Sequence, residues 1–399
     1  MSELVTLNEL GYVNRGRSKH RPRNAPELYG GPYPFVQTAD IKHADLYLTE
    51  YEQTYSESGL AQSRLWPAGT LCITIAANIA DTAILGCDAC FPDSVIGFIP
   101  DDRKCDVRYI KYLFDTQLQT AFKQLSQGVA QDNLSKDKLL SIKFCVPDLP
   151  VQRRIADILS AYDDLIENNR RRIAILEETA RLAYSKCFGG MGHCRTTTLG
   201  EIAPFVRGKV ITQKNAVHGK VPVVAGGLDP AYFHNMANTG APVITISGSG
   251  ANAGFTRMYF EPIWASDCSW CDKSKTKCFY FVYCFLKDNA DALRNLQQGA
   301  AQPHVYPKDI NALEVALPKS DDLLDDFEEV VEPLFSQCGV LAKQNAALVT
   351  ARDMLLPRLM KGDLMCLDMS DTNTTRCESR VQIPPFPNRG CVSDFGGAL

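Results

Sequence analysis

Seven residues at 125–131, LSQGVAQ, return at 296–302 as LQQGAAQ, and their surroundings return with them in the same order. An ordered internal repeat constrains a chain more than any local pattern, because duplicated segments fold as duplicated structures. VTLNELGYVNRGR at 5–17 is answered by TTLGEIAPFVRGK at 197–209. ITI at 73–75 returns at 244–246, and Tyr109, Tyr112 and Phe114 return as Tyr280, Tyr283 and Phe285. Val146-Pro147 is matched by Leu317-Pro318. The offset drops from 192 to 171 along the way, so the second copy is about twenty residues shorter in its first half.

Each copy runs into a long helical pattern. Ile155, Leu159, Tyr162, Ile166, Asn169, Ile173, Leu176, Ala180, Ala183 and Cys187 alternate spacings of four and three, which is a heptad seam. Phe327, Val331, Leu334, Cys338, Leu341, Asn345, Leu348, Arg352, Leu355 and Leu359 keep that frame 172 residues on, with Arg352 the one misfit. Asp148 or Pro150 opens the first helix, and Ser320 with the acidic run at 321–329 opens the second. Gly189 and Gly362 close them, and Pro357 predicts a kink near the end of the second. A helix over 151–188 would be roughly 55 Å long at ~1.5 Å per residue, and its one-sided seam needs a partner. The duplicate is the obvious one, packed antiparallel about a pseudo-twofold axis. Asn169 and Asn345 either fix the register of that pairing or face solvent at the seam edge.

The expected architecture is therefore mixed α/β: two similar globular domains separated by an antiparallel coiled coil of two long helices, as an internal pseudo-twofold repeat. The divisions fall at 1–150 for the first domain, 151–190 for the central helix, 191–318 for the second domain and 319–362 for the distal helix. Residues 363–399 lack periodicity and are expected to be a disordered tail. Strands are predicted at 70–79, 94–100, 241–247 and 313–318, and a helix over 106–126.

Charge and cysteine content then limit the function classes. A net charge of −4, with a slightly acidic first domain, is not that of a protein gripping phosphates unaided. If DNA is bound, a partner shares the hold. No apolar run is long enough for a bilayer and no leader pattern opens the chain, so a cytoplasmic location is expected. The fifteen cysteines are then expected to be reduced thiols, mostly buried as small apolar groups. The pairs Cys87/Cys90 and Cys268/Cys271 do not align in the repeat register, which argues against a shared zinc site.

No catalytic motif stands out in the sequence. FGGMG at 188–192 fits the F-x-G-x-G of adenosylmethionine binders, but here it caps a helix instead of following a strand. No N-P-P-Y or D-P-P-Y tetrapeptide and no G-x-x-x-x-G-K-[ST] loop is present, and the six histidines show no metal-ligand spacing. The expectation is a non-catalytic chain without a metal site or cofactor of its own.

Domain, long helix, domain, long helix resembles the specificity subunit of type I restriction–modification systems. The resemblance spans nearly all of residues 1–362. It rests on the G-x-A-Q loops at 128–131 and 299–302, on VPDLPVQRRIADILSAYDDLIENNRRRIAILEE at 146–178, and on LLPRLMKGDL at 355–364. It implies two target-recognition domains that each read one half of a split, asymmetric double-stranded DNA site. It further implies that the paired helices set the spacing and dock two methyltransferase subunits, with restriction subunits added for cleavage. S-adenosylmethionine, ATP and Mg would then be used by those other subunits. The competing reading is a coiled-coil scaffold whose two domains bind proteins.

Candidate DNA-contacting residues follow from charge and from the repeat. Arg15, Arg17, Lys19, Arg21 and Arg23 concentrate five cations in one loop-like stretch suited to phosphates or to guanine. The second copy keeps only Arg207, Lys209 and Lys214 there. SGSGAN at 247–252 offers Ser247, Asn252 and backbone donors, or is a plain turn. Gly128 and Gln131, with Gly299 and Gln302, are common to both copies. Shared residues cannot explain the reading of two different half-sites, so these are expected to position structure or phosphate.

Overall fold

The computed structural model describes residues 3–20, 22–76, 79–118, 136–190, 194–299 and 303–361. The chain forms two compact units, Met1–Leu165 with Leu348–Leu399, and Ile166–Ala347. Both cuts fall inside long helices, so each unit is a globular part plus a piece of each helix.

In the first unit, β1 (Glu3–Thr6) pairs antiparallel with β11 (Lys143–Val146). The single turn α1 (Leu7–Leu10) follows, closed by a capping box in which the Thr6 backbone N–H donates to Glu9 Oε2 at 2.6 Å. The principal sheet has the order β2 (Gly11–Arg15), β10 (Val95–Pro100), β7 (Leu71–Thr74), β8 (Thr82–Leu85), β4 (Tyr47–Leu48). A smaller sheet runs β5 (Gln53–Tyr55), β3 (Tyr29–Phe35), β9 (Ala89–Cys90), β6 (Leu65–Trp66). Short helices α2 (Thr38–His43) and α3 (Glu57–Gln62) lead into β4 and β6. Helix α4 (Val107–Leu113) buries Tyr109 and Tyr112 in the main core, with Phe114 just beyond its end, and α5 (Lys136–Ser141) precedes β11.

The second unit repeats this plan. Strand β12 (Cys194–Thr198) pairs with β20 (Glu314–Pro318), and α7 (Leu199–Ile202) carries the same capping box from Thr198 and Glu201. Leu7 and Leu199, the shared residues inside these boxes, are wholly buried. The sheet order β13 (Val206–Arg207), β19 (Cys268–Asp272), β16 (Val243–Ser247), β17 (Thr256–Tyr259) matches β2-β10-β7-β8. The second sheet is β15 (Tyr232–His234), β14 (Val221–Val224), β18 (Trp264–Ala265). Its parallel pair β14–β18 corresponds to β3–β9. Edge strands β4 and β6 have no counterpart among the described residues of this unit, which locates the sequence missing from the second copy. Helix α8 (Phe279–Asp288) buries Tyr280, Tyr283 and Phe285, the repeated aromatic triplet. Helices α9 (Ala290–Asn295) and α10 (Pro307–Asn311) complete it.

The long helices are α6 (Leu149–Phe188) and α11 (Asp322–Met360). Every expected seam position on both is buried or half-buried. In the second unit, Asn345 Nδ2 donates to the carbonyl of Ile166 at 3.2 Å while the Cys338 thiol approaches that of Ile173. Residue numbers rise on one helix as they fall on the other, so the pairing is antiparallel. Asn169 Nδ2 donates to Asn345 Oδ1 at 3.0 Å, which selects the register-fixing reading over solvent exposure. In the first unit the misfit Arg352 is explained. Its guanidinium meets Asp163 at 2.5 Å, and the Tyr112 hydroxyl donates to the same buried carboxylate. The repeat-equivalent positions in the second unit are Ala180, Phe335 and Tyr283, and there the space is filled by rings, with Tyr280 stacked on Phe335 at 4.9 Å.

Some expectations are corrected. The left-handed residue after α6 is Gly190, at φ +75°, and not Gly189. Helix α11 runs through Pro357 to Met360. The helix predicted over 106–126 starts at Val107 and passes into a π turn at Phe114–Leu118. Residues 119–126, Gly362 and the tail lie outside the described residues. Cys72, Cys90, Cys105, Cys268, Cys271, Cys284 and Cys338 are buried free thiols, whereas Cys145 departs from the reduced expectation and is disulfide-bonded. No group of ligands that could hold a metal occurs among the described residues.

Removing one partner of a buried ion pair strands the other, which costs about 3–5 kcal/mol. Arg352→Ala should therefore lower the unfolding free energy by that order in urea denaturation. Adding Asp163→Phe, which copies the second unit, should restore much of the loss; no recovery would remove the pair from the register argument.

A second carboxylate behaves differently. Glu328 on α11 accepts the backbone N–H groups of Tyr280 and Phe281 at 3.2 and 2.7 Å, closing the N-terminus of α8. Burial pushes its pKa up from 4.5 to about 7 despite these bonds. A raised carboxyl pKa favours the protonated folded state, so its stabilisation is complete below about 4.5 and lost as pH rises through about 7. Thermal unfolding between those values should show a fall of up to about 3 kcal/mol in the native protein that Glu328→Gln abolishes. An unchanged pH profile in that variant would assign the slope elsewhere.

Candidate nucleic-acid interface

The repeated Arg-Gly dipeptide has a steric cause. A Cβ on Gly16 would lie 2.3 Å from the carbonyls of Phe91 and Pro92, and one on Gly208 would lie 2.3 Å from that of Ser266. Only glycine lets the chain cross so close to the neighbouring backbone. The crossing delivers Arg15, at the end of β2, and Arg207, at the end of β13, to matching exposed positions.

Beyond Gly16 the basic stretch is strapped down. Gly16 N and Arg17 N donate to the carbonyls of Val95 and Phe91 at 2.8 and 3.0 Å. The Ser63 hydroxyl donates to the carbonyl of Arg17 at 2.8 Å, and Gln62 Oε1 accepts from the backbone of Lys19 and His20. The side chains of Arg15, Arg17 and Lys19 remain exposed. Arg23 is different: its guanidinium makes a two-point contact with Asp93 at 3.0 and 3.1 Å, so its charge is already answered within the fold. Arg21 lies outside the described residues.

In the second unit, two stretches separated in sequence are brought together. Gly250 N donates to the carbonyl of Pro303, Val305 N to that of Gly248, and Gln298 and His304 exchange backbone bonds at 2.9 Å. The Ser247–Asn252 turn and the Gln298–Gly299 segment therefore form one surface, beside which Arg207 lies 3.9 Å from Asp267. Asp267 also accepts from the Ser249 hydroxyl. Gly299 and Gly250 take φ of +95° and +79°, which glycine adopts cheaply. Ser247 is not presented: it is buried, with its hydroxyl on the Gly226 carbonyl at 3.0 Å. The turn's amides at Gly248 and Gly250 are likewise used internally, the Asn252 side chain is half-exposed, and Lys209, just past the Arg-Gly crossing, is exposed. Gly128, Gln131 and Gln302 lie outside the described residues.

Sequence reasoning missed a cluster on the first unit. Tyr12, Asn14 and Arg64 meet at one spot, the Tyr12 hydroxyl accepting from Arg64 Nη1 at 2.7 Å and from Asn14 Nδ2 at 3.0 Å. Those bonds hold the Tyr12 pKa below its ordinary value. The available signal was the length difference between the copies, because Arg64 falls in a segment the second copy lacks.

Comparison with known proteins gives this surface its context. The family described as "Type I restriction modification DNA specificity domain" matches residues 2–178 and again 193–328, so the chain belongs to that family. The type I restriction enzyme MjaIX specificity subunit of Methanocaldococcus jannaschii is 24% identical over 91% of this chain and 93% of its own length. A putative MjaX specificity subunit of the same organism is 25% identical over 41% of this chain and 38% of its own. The crystal structure of the type I restriction–modification S subunit from M. genitalium shares the fold, with a TM-score of 0.57 at 20% identity over 90% of this chain and 96% of that one. The chain is thus a DNA-specificity component of a type I restriction–modification system, a non-catalytic class that works with other subunits. No helix among the described residues is long and apolar enough to cross a membrane.

Each phosphate neutralised steepens the salt dependence of DNA binding by about 0.9 in log–log slope. Replacing Arg15, Arg17 and Lys19 together by alanine should flatten that slope by up to about 3 and weaken all DNA sequences alike. A change in base preference without a change in slope would remove these side chains from the phosphate contacts.

Proposed function

We propose that the chain reads a bipartite, asymmetric DNA site, one half with each domain, and presents that site to methyltransferase and restriction subunits. The observation that carries this reading is that two copies of one scaffold present Arg15 and Arg207 at matching places but differ in what is built around them. Among the described residues, strands β4 and β6 occur only in the first. A shared scaffold accounts for a common hold on the duplex, and differing additions account for two different half-sites.

The long helices support docking of partner subunits. Ile158, Leu165, Ile175 and Leu182 on α6 and Val330, Val340 and Met354 on α11 are exposed apolar side chains. Ile158 with Val330, and Leu182 with Met354, occupy the same positions in the two helix copies. Equivalent apolar positions favour two methyltransferase subunits, one for each copy. The chain itself holds no cofactor in this reading. S-adenosylmethionine serves the methyltransferase subunits, and ATP with Mg serves the restriction subunits.

Methylome sequencing of cells carrying this chain and its partner methyltransferase should return a split motif. Exchanging residues 1–150 for those of another specificity subunit should change one half of the motif and leave the other. An unchanged methylome would overturn the proposal.

A further inference from the structure

We propose that Arg64 reads a guanine in the half-site bound by the first domain, seated on Trp66 and Tyr12 with Asn14 and Lys136 beside it. This rests on the DNA-specificity reading above and goes beyond it by naming the reader and the base.

Location is the first argument. Residues that tell one half-site from the other must lie where the two copies disagree. Arg64 sits between α3 and β6, in a segment with no counterpart among the described residues of the second unit. The positions matching Tyr12 and Asn14 are Pro204 and Val206, so the whole cluster is confined to the first domain.

Preorganisation is the second. The Arg64 guanidinium carbon lies 4.2 Å from the Trp66 ring centre and 4.8 Å from that of Tyr12. Trp66 is wholly buried and stacked on Phe91 at 4.8 Å. A Cβ on Gly97 would come within 2.6 Å of the Trp66 ring, so the strand beneath is cut away to seat it. With Nη1 on the Tyr12 hydroxyl, the half-exposed guanidinium is held in one orientation, while Nε and Nη2 make no hydrogen bond among the described residues. No carboxylate pairs with it among the described residues, unlike Arg23, Arg103 and Arg108. A planar cation fixed before binding loses little entropy when it meets its target. Guanine, through O6 and N7, is the base that accepts a two-donor fork.

Continuity with the phosphate-facing cations is the third. Gln62 and Ser63, immediately before Arg64, are the residues that strap Arg17, Lys19 and His20. Lys136, which begins the described chain after the first G-x-A-Q loop, donates to Asn14 Oδ1 at 3.2 Å. Arg64 thus follows directly on the residues that hold Arg17 and Lys19, and its Tyr12–Asn14 cluster is joined by a further cation, Lys136.

The methylome experiment tests this with two variants, Arg64→Ala and Arg64→Lys, after domain exchange has shown which half-site the first domain reads. The expected result is that one guanine position of that half becomes degenerate in both variants while the other half is unchanged. In competition binding with duplexes altered at that base, discrimination should fall by about 5- to 150-fold. A first-domain half-site without a G·C pair overturns the proposal, as does an unaltered motif in Arg64→Ala. If Arg64→Ala abolishes methylation altogether, Arg64→Lys decides. Methylation lost or weakened evenly over both halves in that variant, at unchanged thermal stability, makes Arg64 structural or phosphate-binding. A wild-type complex with no split motif fails the DNA-specificity reading instead, so the two failures are distinguishable.

Discussion

Everything in this chain depends on two apolar helical seams that are stable only when buried against each other. A helix exposing a heptad stripe over its whole length would not persist alone in water, since helical stability in proteins comes chiefly from packing an amphipathic face. Pairing α6 with α11 therefore forces residues nearly two hundred positions apart into contact. The consequence reaches the globular parts. The core of the first unit includes Leu359 and Met360 from the end of α11, and the core of the second includes Ala180 and Phe188 from α6. Neither domain is completed by its own local sequence.

The two pairings are specified by different chemistry. In the second unit an amide–amide bond between Asn169 and Asn345 joins the helices, and rings fill the space at Phe335. In the first, Asp163 gathers both Arg352 and Tyr112. A buried carboxylate is tolerated only where its partners are in place, so the polar trio makes one alignment of the helix ends much better than its neighbours. The aromatic filling of the equivalent site shows that the fold does not need the ion pair. What the pair adds is discrimination between the two copies.

The recognition surface follows a similar logic of shared frame and private additions. Both copies spend the same residues on capping boxes, on the Arg-Gly crossing and on the buried aromatic triplet, and those were the residues most visible as repeats. The seam was equally legible, because a spacing of four and three survives divergence. The Arg64 cluster was not. Tyr12, Arg64 and Trp66 are ordinary in their local sequence, and no period or spacing links them. Only the bend of the chain through α3 and the pairing of β6 with β9 lay Arg64 over the rings. Charge counting was also a partial guide. It gathered Arg23 with its neighbours, although a carboxylate seventy residues away already answers it.

The sequence alone determined that the chain is a duplicated domain-plus-helix unit and that the helices pair through their seams. These follow from periodicity and order, which are one-dimensional properties. Tertiary structure alone decided the role of Arg352, the selection of register by Asn169 and Asn345, the burial of Ser247, and the seating of Arg64 on its aromatic floor. Each depends on which distant side chain arrives to satisfy a charge, a donor or a ring. Such partners are chosen by the fold and leave no spacing to read.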